Sequence, residues 1–290
     1  MLPEFSAGSH IDVEVAPGLV RQYSLCNDPR EQHRYLICVL REPKSRGGSV
    51  AISDTVQVGT LIRVSEPRNQ FALDPSASRV LLFAGGIGVT PVLCMAERLA
   101  HTSIPFEMHY CARSRSRAAF YQRIRVSSFR DKVAFHFDDE PQSKLDLVST
   151  LQAHAPGDHL YVCGPKGFID VVLQFAEAAG WPPDRLRREY FTPADDLVQD
   201  GDSRFQVELA YSGVRYEIPA DRSVVDILLA NGVDVPVSCE QGVCGTCLTR
   251  VLQGVPDHRD MFMTDAEHSR NDQFTPCCSR AKSDLLVLDL

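Results

Sequence analysis

The chain has 290 residues, 44% hydrophobic and 23% charged, enough for two or three domains with a core each. Its formal charge of −8 comes from 30 Lys and Arg against 38 Asp and Glu, with no Lys/Arg-rich block, which argues against a nucleic-acid partner. No uninterrupted apolar run reaches membrane-spanning length, and no basic, apolar and small-residue leader opens the chain, so no membrane association and a cytoplasmic home are expected.

Residues 1–74 alternate in polarity and carry turn signals, the pattern of a small antiparallel barrel, with residues 8–13 reading as a strand. The run Arg21-Gln22-Tyr23-Ser24-Leu25 follows, and later the turn Arg46-Gly47-Gly48-Ser49.

Residues 79–84 form an apolar strand that runs into Gly85-Gly86-Ile87-Gly88-Val89-Thr90-Pro91, after which Leu93, Ala96, Leu99 and Ala100 mark a helix. Strand, glycine turn and helix N-terminus make a phosphate cradle: glycines let backbone N–H groups face a pyrophosphate, and the helix end adds positive potential. Further strands are expected at 106–112, 132–137 and 159–163, alternating with helical stretches, as in a parallel α/β sheet. The last ends in Cys163-Gly164-Pro165, at the carboxyl edge where such sheets bind ligands. After the second strand comes Arg113-Ser114-Arg115-Ser116-Arg117, with no acid to meet a ribose hydroxyl; this Ser/Arg chemistry suits NADPH, or is a solvated loop before a helix at 118–120.

Residues 192–203, acidic and glycine-containing, read as a solvated tether. Beyond it, residues 204–209 and 214–218 alternate like a hairpin turning at Tyr211-Ser212-Gly213. Asp221 or Ser223 caps a short helix at 224–231 that Gly232 ends, and residues 285–290 make a final strand. This stretch holds 13 Asp and Glu against 8 Lys and Arg, net −5, an acidity that steers a module toward a basic partner or serves plain solubility.

Of ten cysteines, Cys26, Cys38, Cys94, Cys111 and Cys163 are scattered in apolar, strand-like contexts, and five crowd between Cys239 and Cys278. Cys239, Cys244 and Cys247 follow the C-x4-C-x2-C spacing of a plant-type 2Fe–2S cluster, with a fourth ligand downstream. Gly242 and Gly245 let amide N–H groups point at the sulfurs. A structural zinc site is the competitor; it normally takes two paired-cysteine knuckles, and only Cys244-x2-Cys247 is one.

In this order the motifs resemble the ferredoxin–NADP reductase superfamily, and within it the phthalate dioxygenase reductase type, in its vanillate demethylase reductase-like form. The resemblance spans essentially the whole chain and includes Arg188-Glu189-Tyr190-Phe191. It implies an antiparallel flavin-binding β-barrel (1–74), a parallel α/β nucleotide-binding domain (75–191), a linker (192–203) and a C-terminal β-grasp ferredoxin (204–290). It places FMN on Arg21, Tyr23, Ser24, Arg46, Gly47, Gly48 and Ser49, with Ser24 near the flavin nitrogen where a hydride arrives. The nucleotide pyrophosphate falls to Gly85, Gly86, Gly88, Thr90 and Pro91, and Cys163, followed by Gly164 and Pro165, lies beside the nicotinamide. Ser114 serves the adenosine end; Phe191, with Glu189, lies near the flavin. By position, and by the likeness of Cys277-Cys278-Ser279-Arg280-Ala281 to the C-x-S-R-A run of fused ferredoxins, Cys277 is the fourth ligand and Cys278 packs in the core.

The resemblance further implies NADH as donor and single-electron delivery to a Rieske-type non-haem iron oxygenase acting on an aromatic compound, from a monomeric reductase. An NADPH-dependent reductase serving a haem monooxygenase is the alternative, and a plain electron carrier a more distant one. Family members have further residues ahead of the position of Met1, so the resemblance implies either a start that lies further upstream or a barrel short of its first strands.

Overall fold

The computed structural model describes residues 1–16, 18–42, 47–191, 199 and 201–290, and divides into two compact units, Met1–Phe191 and Thr192–Leu290. Arg46 and most of the expected tether, residues 192–198 and 200, lie outside the described residues.

The first unit opens with β1 (Ser9–Ala16) and β2 (Leu19–Ser24), an antiparallel pair. Helix α1 (Gly48–Thr55) follows, then β3 (Arg63–Val64) and β4 (Arg68–Asn69), both antiparallel to β1. Ile11, Val13 and Leu25 form the small core of this sheet, with Tyr23 and Ile52 packed against it. Alternation along β2 sets Arg21 and Tyr23, paired with Val13 and Ile11, on the core face, and Ser24 on the other.

The rest of the unit is a doubly wound sheet: β5 (Arg79–Gly85), α2 (Val89–Leu99), β6 (Phe106–Ala112), α3 (Tyr121–Arg125), β7 (Val133–Phe137), α4 (Leu147–Gln152), β8 (Asp158–Gly164), α5 (Lys166–Ala178) and β9 (Leu186–Tyr190). The strands are all parallel, in the order β7-β6-β5-β8-β9. Covered on both faces, β5 needs no polar alternation, so its Val80-Leu81-Leu82-Phe83-Ala84 run is wholly buried. Each such Leu or Phe contributes about 1.5–3 kcal/mol by leaving water.

One expected helix is absent. Residues 118–120 do not form one; a tight turn spans Arg115–Arg117 and α3 starts at Tyr121. Phe120 adopts a left-handed backbone (φ 60°), which no right-handed helix accommodates, and Ala118 is buried in the core instead. Gly47-Gly48-Ser49 also differs from a simple turn: Gly47 makes the bend and Gly48 begins α1.

The second unit comprises β10 (Phe205–Leu209), β11 (Arg215–Ile218), α6 (Val224–Ala230), β12 (Thr249–Gln253), β13 (Pro256–Asp257), α7 (Asp265–Arg270), β14 (Gln273–Phe274), β15 (Arg280–Ala281) and β16 (Leu285–Leu288). Its sheet runs β11-β10-β16-β12-β14, with β10 and β16 parallel at its centre, the β-grasp arrangement. Ser223 closes a capping box with Asp226 and starts α6, whose Val224, Val225 and Leu228 fill the core under the sheet.

Among the described residues of the expected tether, Asp202 turns its side chain inward while its neighbours are exposed. Asp202 is buried between Arg259 (2.6 Å) and Arg280 (3.7 Å). Arg280 also donates to the carbonyls of Ser203 and Pro219 at 3.0 and 2.9 Å, fixing the entry to β10. Two buried guanidiniums demand a carboxylate, and Asp202 supplies it.

No helix among the described residues is long and apolar enough to cross a membrane.

Candidate functional site

The chain leaves β5 toward β6 and β7 on one side of the sheet and returns through β8 and β9 on the other. The topological switch point therefore lies between β5 and β8, and a doubly wound sheet binds its ligand at the carboxyl end of that crevice. The residues there are Gly85-Gly86-Ile87-Gly88, after β5, and Cys163-Gly164-Pro165, after β8.

The two turns are packed back to back. A Cβ on Gly88 would sit 2.3 Å from the Cys163 carbonyl oxygen, and one on Gly164 would sit 2.9 Å from Gly85 Cα. Only glycine permits this approach, and it brings the start of α2 against the strand ends. Thr90 donates its hydroxyl to the Ile87 carbonyl at 3.1 Å, and Pro91, within the first turn of α2, has no N–H to leave unsatisfied. The backbone amides of this turn and the helix end fit an anionic pyrophosphate. Ser114 lies just past the end of β6, its hydroxyl 3.0 Å from that of Ser116. Arg115 is held by Glu140 at 2.5 and 2.8 Å, whereas Arg113 and Arg117 are exposed and form no ion pair among the described residues.

Parallel pairing sets Cys163 opposite Glu189 across β8 and β9, and Ser24 Oγ donates to Glu189 Oε2 at 3.4 Å. The strand ends thus bring together Ser24, Glu189 and Cys163 from three distant segments. Cys163 is fully buried, and burial, with the Glu189 carboxyl beside it, pushes its thiol well above the usual range. Burial pushes Glu189 up to about 8, opposed only by the Ser24 hydroxyl. At neutral pH both groups are therefore mainly protonated, and neither sets a fixed negative charge beside the other. Glu189, secondary in the sequence, is central in the structure, whereas Phe191 follows β9 at 37% exposure.

At the other end of β2, the Arg21 side chain lies across Gly48: a Cβ there would fall 2.5 Å from Arg21 Cγ. Arg21 also donates to the Val20 carbonyl at 2.7 Å, and the Ser49 hydroxyl accepts the Glu42 N–H at 3.1 Å. A guanidinium beside the N-terminus of α1 is the chemistry a phosphate requires. Tyr23 is half-buried, its phenol raised by burial, and rests partly on the barrel core.

In the second unit, the Cys239 thiol lies against those of Cys244 and Cys277, and Cys277 against those of Cys247 and Cys278. Backbone N–H groups of Gln241 and Thr246 donate to Cys239 and Cys244 sulfurs at 3.3 and 3.4 Å. Hydrogen bonds from the Cys244 and Cys277 thiols hold Cys239 low, and donating them pushes Cys244 and Cys277 up. Four thiols this crowded ionise together only around a cation, so the donor set fits an iron–sulfur centre. Gly242 is forced: its φ is 71°, and any Cβ would strike Cys278 Sγ at 2.4 Å. Cys278 is buried, its Sγ 3.2 Å from Thr275 Oγ1.

Comparison with known proteins follows this division. Residues 207–282 match the 2Fe-2S iron-sulfur cluster binding domain, and residues 60–186 match the N-terminal domain of dimethylamine monooxygenase subunit DmmA-like proteins. A vanillate O-demethylase oxidoreductase from a Pseudomonas species is 55% identical over 291 aligned residues, covering 100% of this chain and 92% of that protein. The chain belongs to the family of vanillate O-demethylase oxidoreductases and phthalate dioxygenase reductases. The solved phthalate dioxygenase reductase, described as a modular structure for electron transfer from pyridine nucleotides to 2Fe-2S, is 40% identical with a TM-score of 0.74, over 100% of this chain and 89% of that one. An intact type IV self-sufficient cytochrome P450 monooxygenase is 39% identical with a TM-score of 0.86, over 100% of this chain but 37% of its own. Like its relatives, the protein is an oxidoreductase with a 2Fe–2S domain.

Proposed function

We propose that this protein takes a hydride from NADH onto FMN and passes single electrons through a 2Fe–2S cluster to a Rieske-type oxygenase. O-demethylation of an aromatic methyl ether is the outcome that the 55% identical relative favours. Nicotinamides give up electron pairs and iron–sulfur clusters take one at a time; a bound flavin supplies the exchange between the two.

The observation that carries this reading is the convergence of Ser24, Glu189 and Cys163 at the switch point of a chain whose other unit closes four thiols together. Gly85, Gly86, Gly88, Thr90 and Pro91 hold the nucleotide pyrophosphate, with Gly164 and Pro165 walling the crevice. Cys163 and Ser24 frame the reacting ring, and Glu189 orients the Ser24 hydroxyl. With Glu189 and Cys163 protonated, no fixed negative charge opposes an arriving hydride. Arg21, Gly47, Gly48 and Ser49 hold the flavin phosphate. Cys239, Cys244, Cys247 and Cys277 are the cluster ligands, with the Gln241 and Thr246 amides tuning two of the sulfurs.

A second reading, an NADPH-dependent reductase serving a haem monooxygenase, draws on the unpaired Arg113 and Arg117 beyond β6 and on the similarity to the cytochrome P450 structure. The ratio of kcat/KM for the two nucleotides decides between the donors. For the main reading, purified protein is titrated anaerobically with NADH while its visible spectrum is followed, and the acid-released flavin is identified by chromatography. Bleaching of both flavin and iron–sulfur bands with FMN released supports it. Iron–sulfur absorption that NADH leaves unchanged in flavin-loaded protein overturns it.

A further inference from the structure

A second set of metal-donor side chains lies in the ferredoxin unit, apart from the four thiols. His258, Asp260 and His268 each bring one donor atom to within 4.8 Å of the others. Asp260 is buried, its carboxylate accepting the Met263 N–H at 2.7 Å and standing 3.1 Å from His268 Nε2. The His258 ring stacks on that of His268, centroids 4.4 Å apart and planes 20° from parallel. His258 Nε2 is 3.3 Å from Asn271 Oδ1, whereas its Nδ1 is buried with no hydrogen-bond partner.

An Asp260–His268 pair alone would account for one carboxylate and one imidazole. It leaves unexplained the second imidazole stacked on the first and the orphaned Nδ1, a buried lone pair or N–H that costs stability. Burial, and then the neighbouring His268, disfavour charge on His258, favouring the neutral form whose ring nitrogen can donate to a metal. Two imidazoles and a carboxylate are the donor set of three-ligand zinc sites, which keep a fourth position for water.

We propose that His258, Asp260 and His268 bind a divalent transition-metal cation of the Zn2+ class, at a site separate from the iron–sulfur cluster. The cation bridges the carboxylate and the two stacked rings in place of the proton between Asp260 and His268. Its place in the fold gives it a further effect. Asp260 backs onto Gly242, its Cα 3.0 Å from where a Cβ would stand, and the Met261 N–H donates to the Gly242 carbonyl at 2.9 Å. A cation here clamps the segment that supports the cysteine loop.

The test uses the full protein with its cluster in place, washed with a mild chelator and titrated with Zn2+ by calorimetry. The wild type takes up one more equivalent than His268→Ala, or binds it at least about tenfold more tightly, a loss at the lower end for disrupted metal sites. Zinc on surface thiols is common to both proteins and cancels in the comparison. His268→Gln, which keeps the side chain's bulk, serves if the alanine variant loses its cluster spectrum. As a second measurement, Ni2+ broadens the electron paramagnetic resonance signal of the reduced cluster in the wild type and not in the variant. Equal stoichiometry and affinity in wild type and variants, with no Ni2+-dependent broadening, overturns the proposal.

Discussion

Replacing Glu189 with Gln separates the carboxyl's charge from its shape. In the folded protein its pKa rises from 4.5 to about 8, by burial first, so the folded chain binds a proton there that the unfolded chain has released. A raised carboxylate pKa means that stability is lost as pH rises from 4.5 through 8. Between pH 5 and pH 8.5 the loss from this one group integrates to about 4 kcal/mol, at roughly 1.4 kcal/mol per pH unit over most of the interval. Glutamine stays neutral and keeps an acceptor for the Ser24 hydroxyl. Urea denaturation of wild type and Glu189→Gln at the two pH values measures the difference, with other titrating groups common to both. The variant should match the wild type within about 1 kcal/mol at pH 5 and exceed it by several kcal/mol at pH 8.5. The anaerobic rate of flavin reduction by NADH should lose in the variant any pH dependence centred near 8. Parallel stability profiles for the two proteins would show that Glu189 ionises equally in the folded and unfolded chain and would refute the raised carboxyl.

Three further outcomes are expected. Cys277→Ser should abolish the iron–sulfur spectrum while NADH still reduces the flavin, and Cys278→Ser should retain both; the reverse pattern would exchange their roles. Gly88→Ala drives a methyl into the Cys163 carbonyl 2.3 Å away, so it should cost about 1–3 kcal/mol in urea denaturation and raise KM for NADH while the cluster spectrum stays intact. Arg259→Ala strands Asp202 and Asp257 and should cost about 3–5 kcal/mol in chemical denaturation. Hydrogen bonds from Arg259 hold Asp202 down to about 2, so this stabilisation is present above pH 3.8 and should fade as pH falls toward 2.

The cysteine loop and the glycine turn were legible in the sequence because their chemistry is local: thiolate spacing and missing side chains are written within a few residues. The cap of α6 was legible only as Asp221 or Ser223; the structure gives it to Ser223, whose partner Asp226 lies three residues on. Glu189 was not, because its importance comes from parallel pairing with Cys163 and a hydroxyl donated from 165 residues away. The run Arg187-Arg188-Glu189 also carries too much charge to read as a strand of the parallel sheet, although β9 is its edge strand. Asp202 looked solvated because its partner Arg259 is 57 residues distant. Two alanines before Phe120 suggested a helix that the left-handed backbone of Phe120 forbids.

The interlocked turns at the switch point also restrict how this protein can be altered. Gly88 and Gly164 meet the Cys163 backbone and Gly85, respectively, and Gly85 meets the Phe168 and Pro165 side chains, with no spare volume, so none of the three glycines can take a larger residue alone. A designer wishing to enlarge the crevice proposed for the nicotinamide, or a lineage drifting toward another cofactor, must move two loops from different strands in one step. Single substitutions will instead accumulate at the outer end of β6, around Arg113, Ser114 and Arg117, where side chains face solvent. On the proposed function, donor preference is thus the property most open to retuning, and hydride geometry the one most resistant.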